Sequence, residues 1–294
     1  MQLLKEKFSF KERFVRDGTW YILVALFVVN FLIWYAVLRE EHGGILTVSF
    51  LDVGQGDAIF IEAPNGNQML IDGGKNTRVL RELSSVMSFY DHSIDVVLAT
   101  HPDQDHIGGL PSIFERFQID YFIEPGVDTR TGVYQELARV IDMEKSKNIL
   151  ARREMKIFLD DGAYVLVLFP DRDVSGMETN DASIVAKLVY GDTSFLFTGD
   201  SSQKIEKHLV SLDGKNLHSD VLKVGHHGSK TSTSELFLGF VSPEVSVISS
   251  GVKNPYGHPH AEIINRLLDF GSIVLRTDER GTIVVKSDGT TLRY

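Results

Sequence analysis

WYILVALFVVNFLIWYAVL, residues 20–38, runs for 19 residues without a charge, interrupted by Asn30. A stretch of about 20 apolar residues matches the hydrocarbon thickness of a bilayer. Trp20, Tyr21, Trp34 and Tyr35 lie toward its ends, where interfacial aromatics belong. A core helix of this length would carry a polar face, and this segment has almost none. The run predicts one transmembrane helix and divides the chain into four parts: a basic N-terminus over 1–19, an anchor over 20–38, a linker over 39–44 and a globular part over 45–294. Lys5, Lys7, Lys11, Arg13 and Arg16 precede the anchor and only Arg39 follows closely. That bias predicts a single-pass membrane protein with a cytoplasmic N-terminus and an extracytoplasmic globular part, the lipid bilayer being its first partner. No small-x-small cleavage pattern is clear near Ala36–Leu38, so an uncleaved anchor is expected. One helix cannot form a channel by itself.

The chain has 294 residues and no cysteine, which excludes disulfides and thiolate metal sites and restricts any metal centre to imidazole and oxygen ligands. The formal charge is −10; residues 1–43 hold six Lys/Arg and five Asp/Glu, so the globular part carries −11. Such a domain gains little non-specific attraction to nucleic acid phosphates.

From Ile45 onward, short β-rich runs alternate with amphipathic helices, as in a layered α/β domain. Strands are predicted near 45–51, 57–63 and 67–72, with Asn65-Gly66 as a hairpin turn between the last two. IDVVLAT, residues 94–100, is a continuous apolar run and predicts a strand buried on both faces. Helices are expected over 76–90, 109–117, 132–149, 202–211, 233–240 and 260–270, and further strands between them. Polar segments recur at strand ends: VGQGD, DGG, HPDQDH, TGD, GHHGS and YGHPH. Strand ends that converge on one edge of a sheet are a natural place for a site.

The densest of these segments is THPDQDHIGGL, residues 100–110, in which His101, Asp103, Asp105 and His106 fall within six positions. Two imidazoles and two carboxylates at that density point to a metal cage over a solvated loop. Asp103 and Asp105 alternate from His101 and share its side if the loop stays extended. Gly108 and Gly109 allow close backbone packing. Asp200 ends the apolar strand of DTSFLFTGD, and His226 and His227 end that of VLKVGHHGSK. Asp72 closes IDGG, where an ordinary turn explains it as well as a site role does. NPYGHPH contributes His258 and His260, of which His258 is the stronger candidate.

These segments, in order, resemble the metallo-β-lactamase superfamily, and most closely the hydrolase domain of ComEC-type competence proteins. The resemblance is carried by FLDVGQGDAIFIEAPNGNQMLIDGG (50–74), THPDQDHIGGL (100–110), NDASIVAKLVYGDTSFLFTGD (180–200), DVLKVGHHGSKTSTS (220–234) and NPYGHPHAEII (254–264). It implies a four-layer αββα sandwich over 45–294 with two divalent ions, Zn or Mn, on one edge. His101 and Asp103 match positions for the first ion, Asp105 and His106 for the second, and Asp200 the bridging carboxylate. His226 or His227 matches the last ligand, and the sequence does not separate them. Asp103 stands where the superfamily usually has His, and no His lies between 106 and 200; Asn180 and Ser183 occupy that region in the ComEC-type pattern. The first site is therefore oxygen-rich, which suits Mn²⁺.

The resemblance implies a phosphodiesterase or nuclease acting on DNA, related to competence and DNA uptake, with a DNA-uptake channel as a possible partner, because this chain has one span and no channel of its own. Asp105 and Asp200 would orient metal and water. His258 is a candidate leaving-group acid or phosphate contact, and Lys230 a phosphate contact set against an ordinary exposed lysine. Lys145, Lys147, Arg152, Arg153 and Lys156 form a cationic stretch that would guide a strand or simply solvate a helix face. Two other readings remain: hydrolysis of an ester, lactone or phosphocholine-type headgroup, and a tethered metal-binding module without turnover.

Overall fold

A computed structural model describes residues 18–35 and 44–294, in two separate units. The expected basic N-terminus and linker, and residues 36–38 of the expected anchor, lie almost wholly outside the described residues. In the first unit, α1 (Gly18–Tyr35) is long and apolar enough to cross a membrane, by length and composition. A helix of that length spans about 27 Å at 1.5 Å per residue, close to the thickness of the hydrocarbon layer.

The second unit, Gly44–Tyr294, is built from two sheets with helices on their outer faces. Its strands in chain order are β1 (Leu46–Phe50), β2 (Ile59–Glu62), β3 (Gln68–Ile71), β4 (Ser93–Leu98), β5 (Gln118–Glu124), β6 (Lys147–Leu150), β7 (Lys156–Asp160), β8 (Ala163–Phe169), β9 (Val185–Tyr190), β10 (Thr193–Phe197), β11 (Val221–Lys223), β12 (Val245–Ile248), β13 (Ile273–Arg276), β14 (Ile283–Ser287) and β15 (Leu292–Arg293). One sheet runs β15-β14-β1-β2-β3-β4-β5-β6 and the other β13-β12-β11-β10-β9-β8-β7. The helices are α2 (Arg78–Val86), α3 (Gln104–Ile107), α4 (Leu110–Phe114), α5 (Gly132–Glu144), α6 (Gln203–Asp213), α7 (Glu235–Val241), α8 (Ala261–Asp269) and α9 (Thr277–Arg280).

Strand alternation assigns the layers. On β4, Val96 and Leu98 join the core between the sheets, with Phe50, Phe195 and Phe197, while Val97, and Ala99 just beyond the strand, pack on the helix side with Leu83, Ile113 and Leu137. The run 94–100 is therefore buried on both faces, as its unbroken apolarity predicts. A third core joins Leu196 and Leu222 of the second sheet to Ile205, Leu209, Leu238 and Ile263 of α6, α7 and α8. Each such side chain contributes roughly 1.5–3 kcal/mol when fully buried.

The expected helix 132–149 stops early. Lys145 adopts a left-handed conformation (φ 59°) that ends α5, and residues 147–150 then form the edge strand β6, whose exposed polar face hid it from a hydrophobic pattern. The cationic stretch is thus no helix face. Arg153 is held by Asp213 at 2.6 and 2.9 Å, and Lys147 lies over the Tyr121 ring at 5.0 Å.

Strands β3 and β4 are parallel, as are β10, β11 and β12. Their C-terminal ends deliver Asp72, His101, Asp200 and His227 to one edge of the sandwich. The sheets are tied together there by Ile184 N–H donating to Thr100 O at 2.9 Å. Two glycines set how closely the loops approach. A Cβ at Gly108 would lie 2.1 Å from Lys75 O, and one at Gly56 would lie 2.0 Å from Asp105 O; Gly56 also has φ +121°. Gly56→Ala is expected to destabilise the 44–294 domain by about 3 kcal/mol through backbone strain and overpacking. Gly132→Ala, at a helix start with open space around it, is expected to be neutral. Urea midpoints of the two variants against the parent check both outcomes.

Candidate metal centre

The site is held together from behind by a short chain of hydrogen bonds. Asp72, at φ 60° just after β3, accepts from Thr100 N at 2.7 Å and from Thr100 Oγ1 at 2.7 Å. Thr100 has one hydroxyl proton and donates it to Asp72, so its lone pair must accept from His101 Nδ1, 3.0 Å away. Asp72 Oδ2 also accepts from His106 Nδ1 at 2.8 Å. His227 Nδ1 lies 3.1 Å from Ser249 O; a carbonyl cannot donate, so this nitrogen too carries its proton. In its neutral state each of the three rings is thereby held as the tautomer whose Nε2 bears the lone pair.

Those Nε2 atoms face inward. His106 Nε2 lies 3.3 Å from His227 Nε2 and 3.3 Å from Asp200 Oδ1. His227 Nε2 is 3.4 Å from Asp200 Oδ2 and 3.5 Å from Asp105 Oδ2. His101 Nε2 is 3.8 Å from Asp103 Oδ2, is buried and has no hydrogen-bond partner among the described residues; buried Asp200 Oδ1 has none among them either. At 3.3 Å two bare Nε2 lone pairs would repel, so a proton or a metal ion has to lie between them. Asp57, His106, Asp200 and His227, all buried, offer ligand atoms within 4.8 Å of one another. The donor set fits a divalent cation of intermediate hardness.

The field at the site also favours a cation. Burial opposes charge on the His106 ring, yet Asp200 and Asp72 hold its pKa well above the ordinary value. Burial likewise opposes charge on His227, and Asp200 and Asp57 overcome it. For Asp105, burial works to raise the carboxyl pKa, but the hydrogen bond from His227 and the charge of His106 bring it down to about 2. His101 is the exception. Burial, reinforced by His106, pushes it to about 3 and leaves a neutral ring.

The remaining predicted residues fall into place as follows. Asp105 and His106 sit on α3, a helical turn that starts directly after Asp103, so the loop is not extended through Asp105 as the alternation assumed. His226 is partly exposed, with Nδ1 3.0 Å from Thr231 Oγ1 and Nε2 3.6 Å from Asp200 Oδ2. Ser183 Oγ accepts from Asp200 N at 3.2 Å, which places it behind the carboxylate. Asn180 opens a 3-10 turn, and its buried Oδ1 has no hydrogen-bond partner among the described residues. The His258 ring is 5.6 Å from that of His226 and 6.4 Å from that of His227, and burial together with His227 pushes its pKa to about 4. Lys230 is turned toward α8, where its Nζ is 3.8 Å from Glu262.

Sequence reasoning passed over Asp57, Lys223, Ser249 and Thr100. Asp57 closes VGQGD, one of the polar strand ends, and that placement was a usable signal. Lys223 breaks an apolar buried strand, VLKV, and a charge there requires a partner. Ser249 contributes only its carbonyl, which no sequence pattern reveals.

A model of the metallo-beta-lactamase superfamily matches residues 51–252 of this chain. ComE operon protein 3 of Bacillus subtilis is 29% identical over 302 residues, covering 95% of this chain and 36% of that protein. Competence protein ComA of Neisseria gonorrhoeae is 31% identical over 258 residues, covering 88% of this chain and 34% of that protein. The chain spans about a third of the length of these curated relatives. Among solved structures, the metallo-beta-lactamase fold protein YhfI of Bacillus subtilis superposes with a TM-score of 0.57 over 82% of this chain and 99% of that one. At 11% identity that likeness speaks for the fold alone.

The outer hydrogen bonds should govern how well the inner atoms hold a cation. Asp72→Asn keeps the left-handed backbone position accessible and removes the charge behind His106. It is expected to weaken Mn²⁺ or Zn²⁺ binding about 10–100-fold, which equilibrium dialysis measures directly.

Proposed function

This chain belongs to the metallo-beta-lactamase superfamily, and on that premise we propose that it is a membrane-tethered, metal-dependent phosphodiesterase that cleaves DNA. The observation that carries the reading is the convergence of His106 Nε2, His227 Nε2 and Asp200 Oδ1 within 3.3 Å contacts at a buried edge. His101, Asp103 and Asp200 would hold one ion; Asp105, His106, Asp200 and His227 the other. His227 is favoured over His226 because its ring is buried and its Nε2 faces both Asp105 and Asp200. The first set is richer in oxygen, which supports Mn²⁺ over Zn²⁺ there.

When bound, such ions lower the pKa of water toward neutrality and offset charge developing on a phosphoryl group. The chain's own residues then do the positioning. Asp200 presents Oδ1 toward His106 and Oδ2 toward His226 and His227, so both oxygens face the second set, and its bridging role rests on the family resemblance. His258, its ring 5.6 Å from that of His226 and 6.4 Å from that of His227, would contact a substrate phosphate or leaving oxygen. With α1 as the anchor, the catalytic domain lies outside the membrane and the N-terminus in the cytoplasm.

DNA as substrate is supported by the competence proteins among the relatives. The same relatives support a DNA-uptake channel as its partner. The charge of −11 on the globular part favours a second reading, in which the same centre hydrolyses an ester, lactone or phosphocholine-type group. A binding module without turnover is the third.

The full chain in detergent, incubated with labelled single-stranded and duplex DNA across a Mn²⁺ and Zn²⁺ series, separates these readings. Cleavage should require the metal, stop with EDTA and return on adding Mn²⁺. Asp105→Ala is expected to lower the rate about 100-fold or more, about 3 kcal/mol of barrier. Ester turnover without DNA cleavage supports the second reading, and bound metal with neither activity the third. His258→Ala should lower turnover about 10–100-fold with metal content unchanged; unchanged turnover removes its role.

A further inference from the structure

Behind the metal centre lies a charged pair with almost no exposure. Lys223, the last residue of β11, is 1% exposed and Asp57 is 1% exposed. Lys223 Nζ is 2.6 Å from Asp57 Oδ2 and donates to Val224 O at 3.0 Å. The other carboxylate oxygen, Asp57 Oδ1, lies 3.3 Å from His227 Nδ1. The backbone pins Asp57 as well: its N–H donates to Asp105 O at 3.3 Å, and its carbonyl accepts from Gly74 N at 2.7 Å. A continuous line of contacts therefore runs from the ammonium through the carboxylate to the ring, and from the ring's Nε2 to Asp105 and Asp200.

General stability does not account for this pair. Removing two charges from water costs several kcal/mol per ion, and apolar replacements of buried pairs are often neutral or stabilising. The neighbours of Lys223 on β11, Val221 and Leu222, are apolar and buried. A leucine at 223 would have extended the same core.

Distance alone would allow Asp57 to bind the metal directly, because its oxygen falls within the 4.8 Å cluster. The side of the ring argues otherwise. Nδ1 and Nε2 of an imidazole point in divergent directions. Asp57 lies against Nδ1, the nitrogen whose proton Ser249 O accepts, whereas Asp105 and Asp200 lie against Nε2. The ammonium, meanwhile, draws the second oxygen of Asp57 away from the cluster.

We propose that Lys223 and Asp57 form a buried charge link that fixes His227 with Nε2 toward Asp105 and Asp200, and that keeps Asp57 out of the ligand set. Asp57 and Lys223 are positioning residues, acting on the metal through His227. This deepens the metal-hydrolase reading above and rests on it.

The test uses the full chain in detergent and reads Mn²⁺ affinity and stoichiometry by equilibrium dialysis. Lys223→Met alone strands a buried carboxylate and is at risk of unfolding, so the decisive variant is Asp57→Asn/Lys223→Met, which removes both charges; circular dichroism verifies its fold. The double variant is expected to bind the same number of ions as the parent, with affinity about 10–100-fold lower. Unchanged affinity overturns the inference. So does the loss of one ion from the stoichiometry, which would make Asp57 a ligand. An independent measurement needs no substitution: in Zn²⁺-loaded protein labelled with ¹⁵N-histidine, His227 should retain its Nδ1 proton, and a ring bound through Nδ1 overturns the inference. If the parent binds neither Mn²⁺ nor Zn²⁺, the metal-centre reading fails and takes the inference with it. Parent binding with an unaffected double variant removes the inference alone.

Discussion

Three imidazole rings share one edge of the sandwich because each is tied backward through Nδ1. Thr100 takes the proton of His101, Asp72 that of His106, and Ser249 O that of His227. The Nε2 atoms of His106 and His227 then meet at 3.3 Å beside Asp105 and Asp200, and that of His101 faces Asp103. Such a cluster is unfavourable without a cation, and the surrounding structure has to hold it there. The proposed chemistry depends on that constraint.

The scaffold meets it through parallel strands. In β3 and β4, and again in β10, β11 and β12, residues at the C-terminal end of each strand reach the same edge whatever their separation in sequence. His106 and His227 are 121 residues apart yet their Nε2 atoms are 3.3 Å apart. Rigidity comes from three apolar cores, one between the sheets and one beneath each helical layer. The near contact of Gly56 with Asp105 O then locks the first loop against the turn that carries Asp105 and His106.

Charge is distributed unevenly across this edge. Lys223 neutralises Asp57 directly behind His227, leaving the cluster's other carboxylates to face the pocket. The site is therefore negative where a cation would sit, while the side chain least suited to bind it is compensated from within. The basic residues at 145–156 are dispersed over an edge strand and an ion pair with Asp213. Any nucleic acid reaching the proposed centre would be drawn by the metal ions or delivered by a partner.

Much of this was legible in residue order. The apolar run before residue 38, the doubly buried strand 94–100, and the clustering of His and Asp at strand ends all follow from local composition and periodicity, which report burial directly. The end of α5 at Lys145 and the edge strand β6 were not legible, because an exposed edge has no apolar signature. Nor could the sequence choose between His226 and His227, or show that Lys230 turns to Glu262, since adjacent residues share one local pattern and differ only in the direction each side chain takes. Asp57, Lys223 and the Ser249 carbonyl acquire meaning only when distant strands are laid side by side. The sequence by itself determined the kinds of ligand and the strand ends that carry them. The tertiary structure decided which nitrogen of which histidine points inward, because that depends on a hydrogen-bond partner contributed from elsewhere in the chain.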